Sequence, residues 1–531
     1  MVEKPLKGQE SKQKGTLPGA KFGGGARSNA GQWIPLVDLV DIFAGFRGNG
    51  PKGVLSLYDA PVGVQLKVEE AVKSEPILES EMEWEKGKMR PCGLWKENGQ
   101  YHLIYNSMVA TCYAVSDDGY NWIRPELGQV EFNGSTKNNI LDQGPKGGIF
   151  EDPKGAPEER FKSMSQDIFW VDPDTAKIVP QDEADKRLAA QKKEGSDYKG
   201  TPMELRGHLI GWVSPDRLHW TQLKEPVAHF SANSGSYPNY DPDTGYFFDY
   251  FRVHAAPPEE FRGVGTGVPE LDIRRRSIGF SRTKDFRDWP PPKLVLFPDA
   301  QDDMDVSFYG TQYFRYPGRS DLHGMLLAIF HQVEDIMDVQ LAFSRDGLFW
   351  SRPERRAIVP VGDPGSGDDC MTYAATTLID LPDGYWGSLY RGGSRLHGVW
   401  PDQIGTLFPQ YRSEQMRWAR WLPHRFCGFE AKEDGSFTIL SIRRTKKELH
   451  LNYRCKAGGW ISVELINRTP SATSSPSEGI PGFKYEECDL ITGDSLDHVI
   501  TWEGKSDISE VGETVAIRIK MFRAKLFAYM V

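Results

Sequence analysis

A chain of 531 residues is long enough for two or three folding units with sizeable cores, and its 54 glycines and 36 prolines are too few for a collagenous or low-complexity protein. Lys and Arg number 64 against 74 Asp and Glu, a formal charge of −10, so the summed field repels polyanions and disfavours nucleic acid as a partner. No apolar run approaches the roughly 20 residues that a membrane-spanning helix needs, so no membrane partner is expected.

Residues 1–30 form a polar tail rich in Lys, Gly, Ser and Gln, with no apolar stretch of the secretory type. This fits a cytoplasmic protein, or a secreted one already without its signal. From there apolar runs of five to eight residues recur, among them 101–105, 209–213, 246–251, 325–330, 449–453 and 515–519. Each is rich in β-branched or aromatic residues and bounded by Gly, Asp, Asn, Pro or other polar residues, which predicts strands. The charged stretch 182–199 departs from this pattern and predicts a short helix or insertion with a solvated face. The six cysteines are far apart with no paired spacing, so free, mostly buried thiols are expected.

Four segments repeat one pattern, at 115–122, 213–220, 280–289 and 343–350. Ser116, Ser214, Ser281 and Ser344 each close an apolar strand, an Asp-containing turn follows, and Trp122, Trp220, Trp289 and Trp350 each open the next strand. Ser and Asp side chains bond turn backbone, while a Trp covers the end of a strand. The serines are 98, 67 and 63 residues apart, the size of a four-stranded blade with its loops. A further blade without the motif fits between about 362 and 398. The expected fold is therefore all-β: a five-bladed β-propeller over 31–425, followed over 426–531 by a β-sandwich of short strands at 437–442, 448–453, 461–466, 498–502, 515–519 and 526–530.

The stretch from Met89 through Arg90, Pro91, Cys92, Gly93 and Leu94 to Trp95, with Gly99, Tyr101, His102, Leu103 and Tyr105 beyond, resembles the first-blade N-D-P-N-G … G-x-Y-H-L-F-Y strand of glycoside hydrolase family 32, the invertases and levanases. Gly367, Asp368, Asp369 and the run to Ala374 resemble that family's fifth-blade D-x-G-x-D-F-Y-A segment. The resemblance implies a divergent relative of the β-fructosidases and the arabinan-cleaving family 43 enzymes. It also implies a hydrolase acting on a terminal sugar, furanose or acidic, of an oligo- or polysaccharide. It breaks at Arg90, which stands where that family has its nucleophilic Asp. A guanidinium cannot attack an anomeric carbon. Two other readings stay open, a non-catalytic glycan-binding protein and a lyase or sialidase-like enzyme of acidic sugars.

Glycoside hydrolysis normally needs two carboxylates. The strand heads offer Glu85 beside Glu83, Asp305 beside Asp303, and Asp369 beside Asp368, with His331 as a further acid/base candidate. Arg90, Arg252 and Arg391 adjoin strands expected to line the channel and suit an anionic group on the sugar, with Trp95 and Tyr309 as stacking surfaces. No Cys/His metal cluster or phosphate loop is present, so no cofactor is expected. A structural Ca²⁺ on Asp and carbonyl oxygens is compatible with the composition, as is an oligomer.

Overall fold

The computed structural model of the protein describes residues 27–28, 32–49, 55–172, 177–194, 203–230, 232, 235–254, 275–399, 414–467 and 478–531, so most of the polar tail lies outside the described residues. Strands dominate. The charged stretch carries an α-helix, Gln181–Glu194, inserted between the strands Phe161–Val171 and Glu204–Ser214. Asp182, Asp185 and Lys186 are exposed, while Ala184 is fully buried. Among the described residues no helix is long and apolar enough to cross a membrane.

Five antiparallel units follow one another along the chain, the last two joined into one ten-stranded sheet where Met337 pairs in parallel with Met371. The first is Arg90–Glu97, Gln100–Asn106 and Thr111–Ser116, opened by a two-residue turn in which Asn98 and Gly99 take φ of 51° and 86°. The second is Ile149–Glu151, Phe161–Val171, Glu204–Ser214 and Thr221–Ala228. The third is Asn239–Asp241, Tyr246–His254, Arg276–Thr283 and Lys293–Leu296. Val306–Arg315, His323–His331, Ile336–Ser344 and Trp350–Ser351 make the fourth. The fifth has Met371–Ala374, Trp386–Gly393 and Gln415–Trp421, and its outer positions are filled from far upstream by Val72–Lys73 and Leu78–Glu79.

The units pack in the same succession. Ile104 and Tyr113 meet Phe161 and Trp220 between the first and second, Met164 and Leu209 meet Phe247 and Trp289 between the next pair, and Tyr250 and Ile278 meet Phe308 and Leu327 after that. Phe330 and Met337 then meet Met371 and Tyr373, and Leu389 and Trp418 of the fifth unit return to Tyr101 and Tyr105 of the first. Each fully buried aromatic of this kind contributes about 2–3 kcal/mol through lost apolar surface.

The repeated turns occupy the same place in four units, just after the third strand. Ser344 Oγ accepts from Gly347 N at 2.9 Å, Asp346 Oδ1 accepts from Leu348 N and Phe349 N at 2.8 and 2.9 Å, and the Trp350 indole donates to Gly347 O at 3.1 Å. Ser116, Asp118 and Trp122 make the same bonds, as do Ser214, Asp216 and Trp220. In the third unit the hydroxyl that plays this part is Thr283, not Ser281: Asp285 N donates to Thr283 Oγ1 at 3.0 Å, and the Trp289 indole donates to Phe286 O at 2.8 Å. All four copies thus share one spacing, Ser/Thr-x-Asp-x-x-x-Trp.

Phe46–Asn49 and Leu55–Tyr58 pair as a separate two-stranded sheet, and a seven-stranded sheet is built on Cys427–Arg443, His450–Ile466, Asp494–Val499 and Thr514–Met530. Segments expected as separate short strands are joined. His450–Ile466 and Thr514–Met530 each absorb two of them, because the polar stretches between act as bulges, with Gly458 and Arg523 at φ of 74° and 47°, and not as turns. Hydrogen bonding therefore runs through one bent sheet whose two halves share a core that includes Phe429, Ile439, Leu451, Val463 and Leu526. Residues assigned from sequence to the repeated units also belong here. Ile34–Pro35 pairs with Thr514–Met530 and Val62–Val68 with Cys427–Arg443, the alternating Val64 and Leu66 packing on that core. Val68, Phe426 and Cys427 continue into an apolar seam with Phe314 and Trp386 of the fourth and fifth units. All six cysteines are free, with Cys92, Cys112 and Cys427 buried.

Removing a turn carboxylate should cost what a lost cap costs. Asp346→Ala is expected to lower unfolding stability by about 1–2 kcal/mol in urea titration, and an unchanged midpoint would refute the role given to the turn. A second expectation concerns acid. Burial, then the Arg319 charge, holds the His424 imidazole down at about 4, among Trp33, Tyr316 and Trp386. The unfolded chain titrates this group near ~6.5, so between those values the unfolded state binds the extra proton and stability falls as pH falls. The loss across that window should be on the order of 2–3 kcal/mol. It should shrink in His424→Asn, which tolerates the left-handed backbone at φ 65°. Equal pH slopes for the two proteins would contradict the assignment.

Candidate functional site

Lys88 and Arg90 stand two residues apart at the head of the first unit, so they project to one side while Met89 between them is buried. Tyr309 comes from the first strand of the fourth unit, Tyr373 and Arg391 from the fifth, and Arg395 and His397 from the loop that leaves Trp386–Gly393. These seven side chains, with Gly235, line one cavity of about 240 Å³. A Cβ at Gly235 would lie 1.5 Å from Arg90 Nη2, so a side chain there would displace the guanidinium end.

The cavity is cationic. Lys88, Arg90, Arg391 and Arg395 line it, and among the described residues no Asp or Glu does. The Arg90 guanidinium donates from Nε and Nη2 to Tyr237 Oη at 3.3 Å each and lies 5.6 Å from the Tyr237 ring centre. Arg391 lies 5.5 Å from the Tyr373 ring centre. One carboxylate stands behind the wall. Glu414, 1 % exposed, accepts from Met89 N at 3.2 Å and lies 3.8 Å from Arg391 Nη1 and 3.7 Å from Arg395 Nη2. Burial, then the Arg391 charge, lowers the Lys88 ammonium below its ordinary value, with Glu414 opposing. Burial pushes the Tyr373 hydroxyl up to about 12.

Tyr309 and His397 meet at the wall, with Oη and Nε2 2.7 Å apart. The guanidinium carbons of Arg252 and Arg276 lie 4.4 and 5.4 Å from the Tyr309 ring centre. Arg252 is 5 % exposed, and its Nε and Nη1 have no hydrogen-bond partner among the described residues. A second cavity, about 510 Å³, shares Lys88 and Arg90 and runs over the first unit past Met108, Thr111, Phe132 and Lys146.

The structure thus gathers Arg90, Arg391 and Tyr309 around one cavity and sets Arg252 behind them. It keeps the other candidates out. Glu85 is fully buried and its oxygens are occupied: Oε1 accepts from Tyr105 Oη at 2.7 Å and Arg124 Nε at 2.8 Å, and Oε2 from the amides of Glu81 and Met82. Asp305 Oδ2 accepts from Val333 N at 3.0 Å, closing a hairpin end. Asp369 Oδ2 accepts from Gly365 N at 2.9 Å in the loop before the fifth unit. His331 Nε2 is 3.0 Å from Asp338 Oδ2, a bond that raises its affinity for a proton, and it belongs to a strand end outside the cavity. Trp95 stacks on His102 at 5.1 Å and under Arg217 at 4.6 Å, between the first and second units.

Lys88, Tyr237, Tyr373, Arg395, His397 and Glu414 were not singled out from sequence. A usable signal was present for some: Lys88 repeats the side of Arg90, and Arg391, Arg395 and His397 crowd basic residues into a Gly-rich strand exit. Nothing local marks Glu414 or Tyr237. Among the described residues no group of three His, Cys, Asp or Glu side chains is placed to hold a metal ion.

No family model and no curated protein matches the chain. Among solved structures it is similar to a family-43 glycoside hydrolase described as thermostable, with 10% identity over 65% of this chain and 92% of that one and a TM-score of 0.39. It is also similar to a protein described as a glycoside hydrolase (13%, 67% and 92%, TM-score 0.36) and to a family 32 β-fructofuranosidase of Bombyx mori (8%, 89% and 94%, TM-score 0.35). Likeness this loose fixes neither fold nor chemistry, which rest on the residues themselves.

Glu414 is the counter-charge of the wall. Glu414→Gln keeps an acceptor for Met89 and removes the charge, so unfolding stability should fall by about 1–3 kcal/mol, and added salt should shrink the loss by screening the arginines. A salt-independent loss in denaturant titrations would assign Glu414 a packing role instead.

Proposed function

We propose that the five units are the blades of a propeller, with the bent C-terminal sheet beside them as its sandwich-like companion. The chain is then a carbohydrate-active, glycoside hydrolase-like enzyme that takes an acidic sugar unit in the cavity between them. The round of packing from first unit to fifth and back to first supports the architecture. The observation that carries the ligand class is the wall itself: four cations and, among the described residues, no carboxylate, in a chain of net charge −10. Such a wall is unfavourable when empty and is relieved by an anion. Guanidinium forks suit a carboxylate or sulfate, and the tyrosine rings suit a sugar face.

A non-catalytic glycan-binding protein is the second reading, favoured by the lack of a carboxylate pair on the cavity wall among the described residues. Matched panels of acidic and neutral aryl glycosides and oligosaccharides separate the two readings. Turnover confined to acidic members supports the enzyme, binding without turnover supports the module, and turnover of neutral sugars alone would sink the acidic-sugar reading. Arg90→Lys keeps the charge but loses the fork. It should weaken acidic ligands about tenfold, roughly 1.4 kcal/mol by calorimetry, and leave neutral sugars nearly unaffected.

A further inference from the structure

With no carboxylate pair on its wall among the described residues, the cavity needs another way to break a glycosidic bond. We propose that Tyr309 and His397 are the proton-transfer pair of a β-elimination on a hexuronic acid residue substituted at its O4, a proposal that rests on the acidic-sugar reading of this cavity.

Three features of the wall carry it. The two side chains face the same cavity as the four cations, and their polar atoms are 2.7 Å apart, a bond through which the phenolic proton can pass. Arg252 and Arg276 lie against the Tyr309 ring at 4.4 and 5.4 Å, so negative charge developing on the phenolic oxygen is stabilised by a preorganised field. Burial and, against Asp335, the charges of Arg276, Arg252 and Arg395 lower the proton affinity of His397, which favours the neutral imidazole before the step and the return of the proton after it.

The chemistry balances within these groups. Cations on the sugar carboxylate acidify the C5 hydrogen and stabilise the enolate that its loss creates. Tyr309 oxygen takes the C5 proton as its own proton passes to His397 Nε2. The electron pair left at C5 forms the C4–C5 double bond, and the C4–O bond breaks with its pair going to the leaving oxygen. Tyr309 then gives its proton to that oxygen and recovers one from His397. One C–H and one C–O bond are lost, one π bond and one O–H bond are gained, and no further reactant enters. The second cavity, meeting the first at Lys88 and Arg90, offers room for a neighbouring sugar.

The test uses the full chain and oligosaccharides of O4-linked gluco-, galacto- and mannuronate, in water enriched in heavy oxygen. Elimination yields an unsaturated product, seen by its ultraviolet absorbance, with no heavy oxygen incorporated. Tyr309→Phe should lower that turnover by about 10²–10⁴-fold while binding of the oligosaccharide, measured by calorimetry, changes only a few-fold. Saturated products carrying heavy oxygen would overturn elimination and leave the acidic-sugar site standing, as would binding without cleavage of any member. Full turnover in Tyr309→Phe would remove the pair from the mechanism. Failure to bind any acidic oligosaccharide would sink the site reading and the elimination together.

Discussion

A row of sheets strung along one chain leaves unpaired strand edges, and open backbone edges invite pairing with other chains. This chain covers the edge of its last unit by bringing Val72–Lys73 and Leu78–Glu79 back onto Gln415–Trp421. The Lys73 ammonium holds that return in place. It donates to Asp368 Oδ2 at 2.9 Å, and Asp368, 1 % exposed, also accepts from Tyr390 Oη at 2.8 Å and Ser366 Oγ at 2.6 Å. A buried carboxylate with three donors is well satisfied, whereas one stripped of its ammonium would be costly, so the latch is tight in one arrangement only.

What the latch positions is the junction of the fifth and first units. Trp418 of the fifth unit donates its indole N–H to Gly119 O at 2.8 Å, the carbonyl that Trp122 of the first unit also uses at 2.9 Å, and Tyr101 Oη reaches Asp380 O across the same seam. That junction brings Lys88 and Arg90 opposite Arg391 and Arg395. Four cations at one wall repel one another, and the fold tolerates them by giving Arg90 and Arg391 aromatic faces and by burying Glu414 behind the arginines. Part of the stability supplied by the seams thus goes into holding a wall that an anion would relax, a trade expected at functional sites.

The repeated turn shows how far reading the sequence alone carries. Its bonds run within seven residues, so spacing alone places them, and the copies in the first, second and fourth units were legible directly. In the third the serine was the wrong hydroxyl. Ser281 donates to Pro290 O, while Thr283 holds the place two residues before Asp285 that the geometry requires. The charged helix and the strands were likewise legible from composition and period.

The site was legible only in part. Arg90, Arg252 and Arg391 adjoin predicted strands, which marked them, but Glu85 at a strand head was marked in the same way and proved to be a buried anchor bound by Arg124 and Tyr105. Whether a strand-end carboxylate meets solvent, a ligand or an arginine depends on what the rest of the chain packs beside it. By itself the sequence determined the alternation that makes strands, the turns that bond locally and the overall negative charge, all of which depend on neighbours in the chain. Only the tertiary structure decided that long polar stretches bend strands instead of ending them, that residues 34–35 and 62–68 join the C-terminal sheet, and that cations some 300 residues apart, from Lys88 to Arg395, share one wall. Those outcomes rest on pairings across great sequence distances, where burial and charge balance choose among partners that local pattern leaves equivalent.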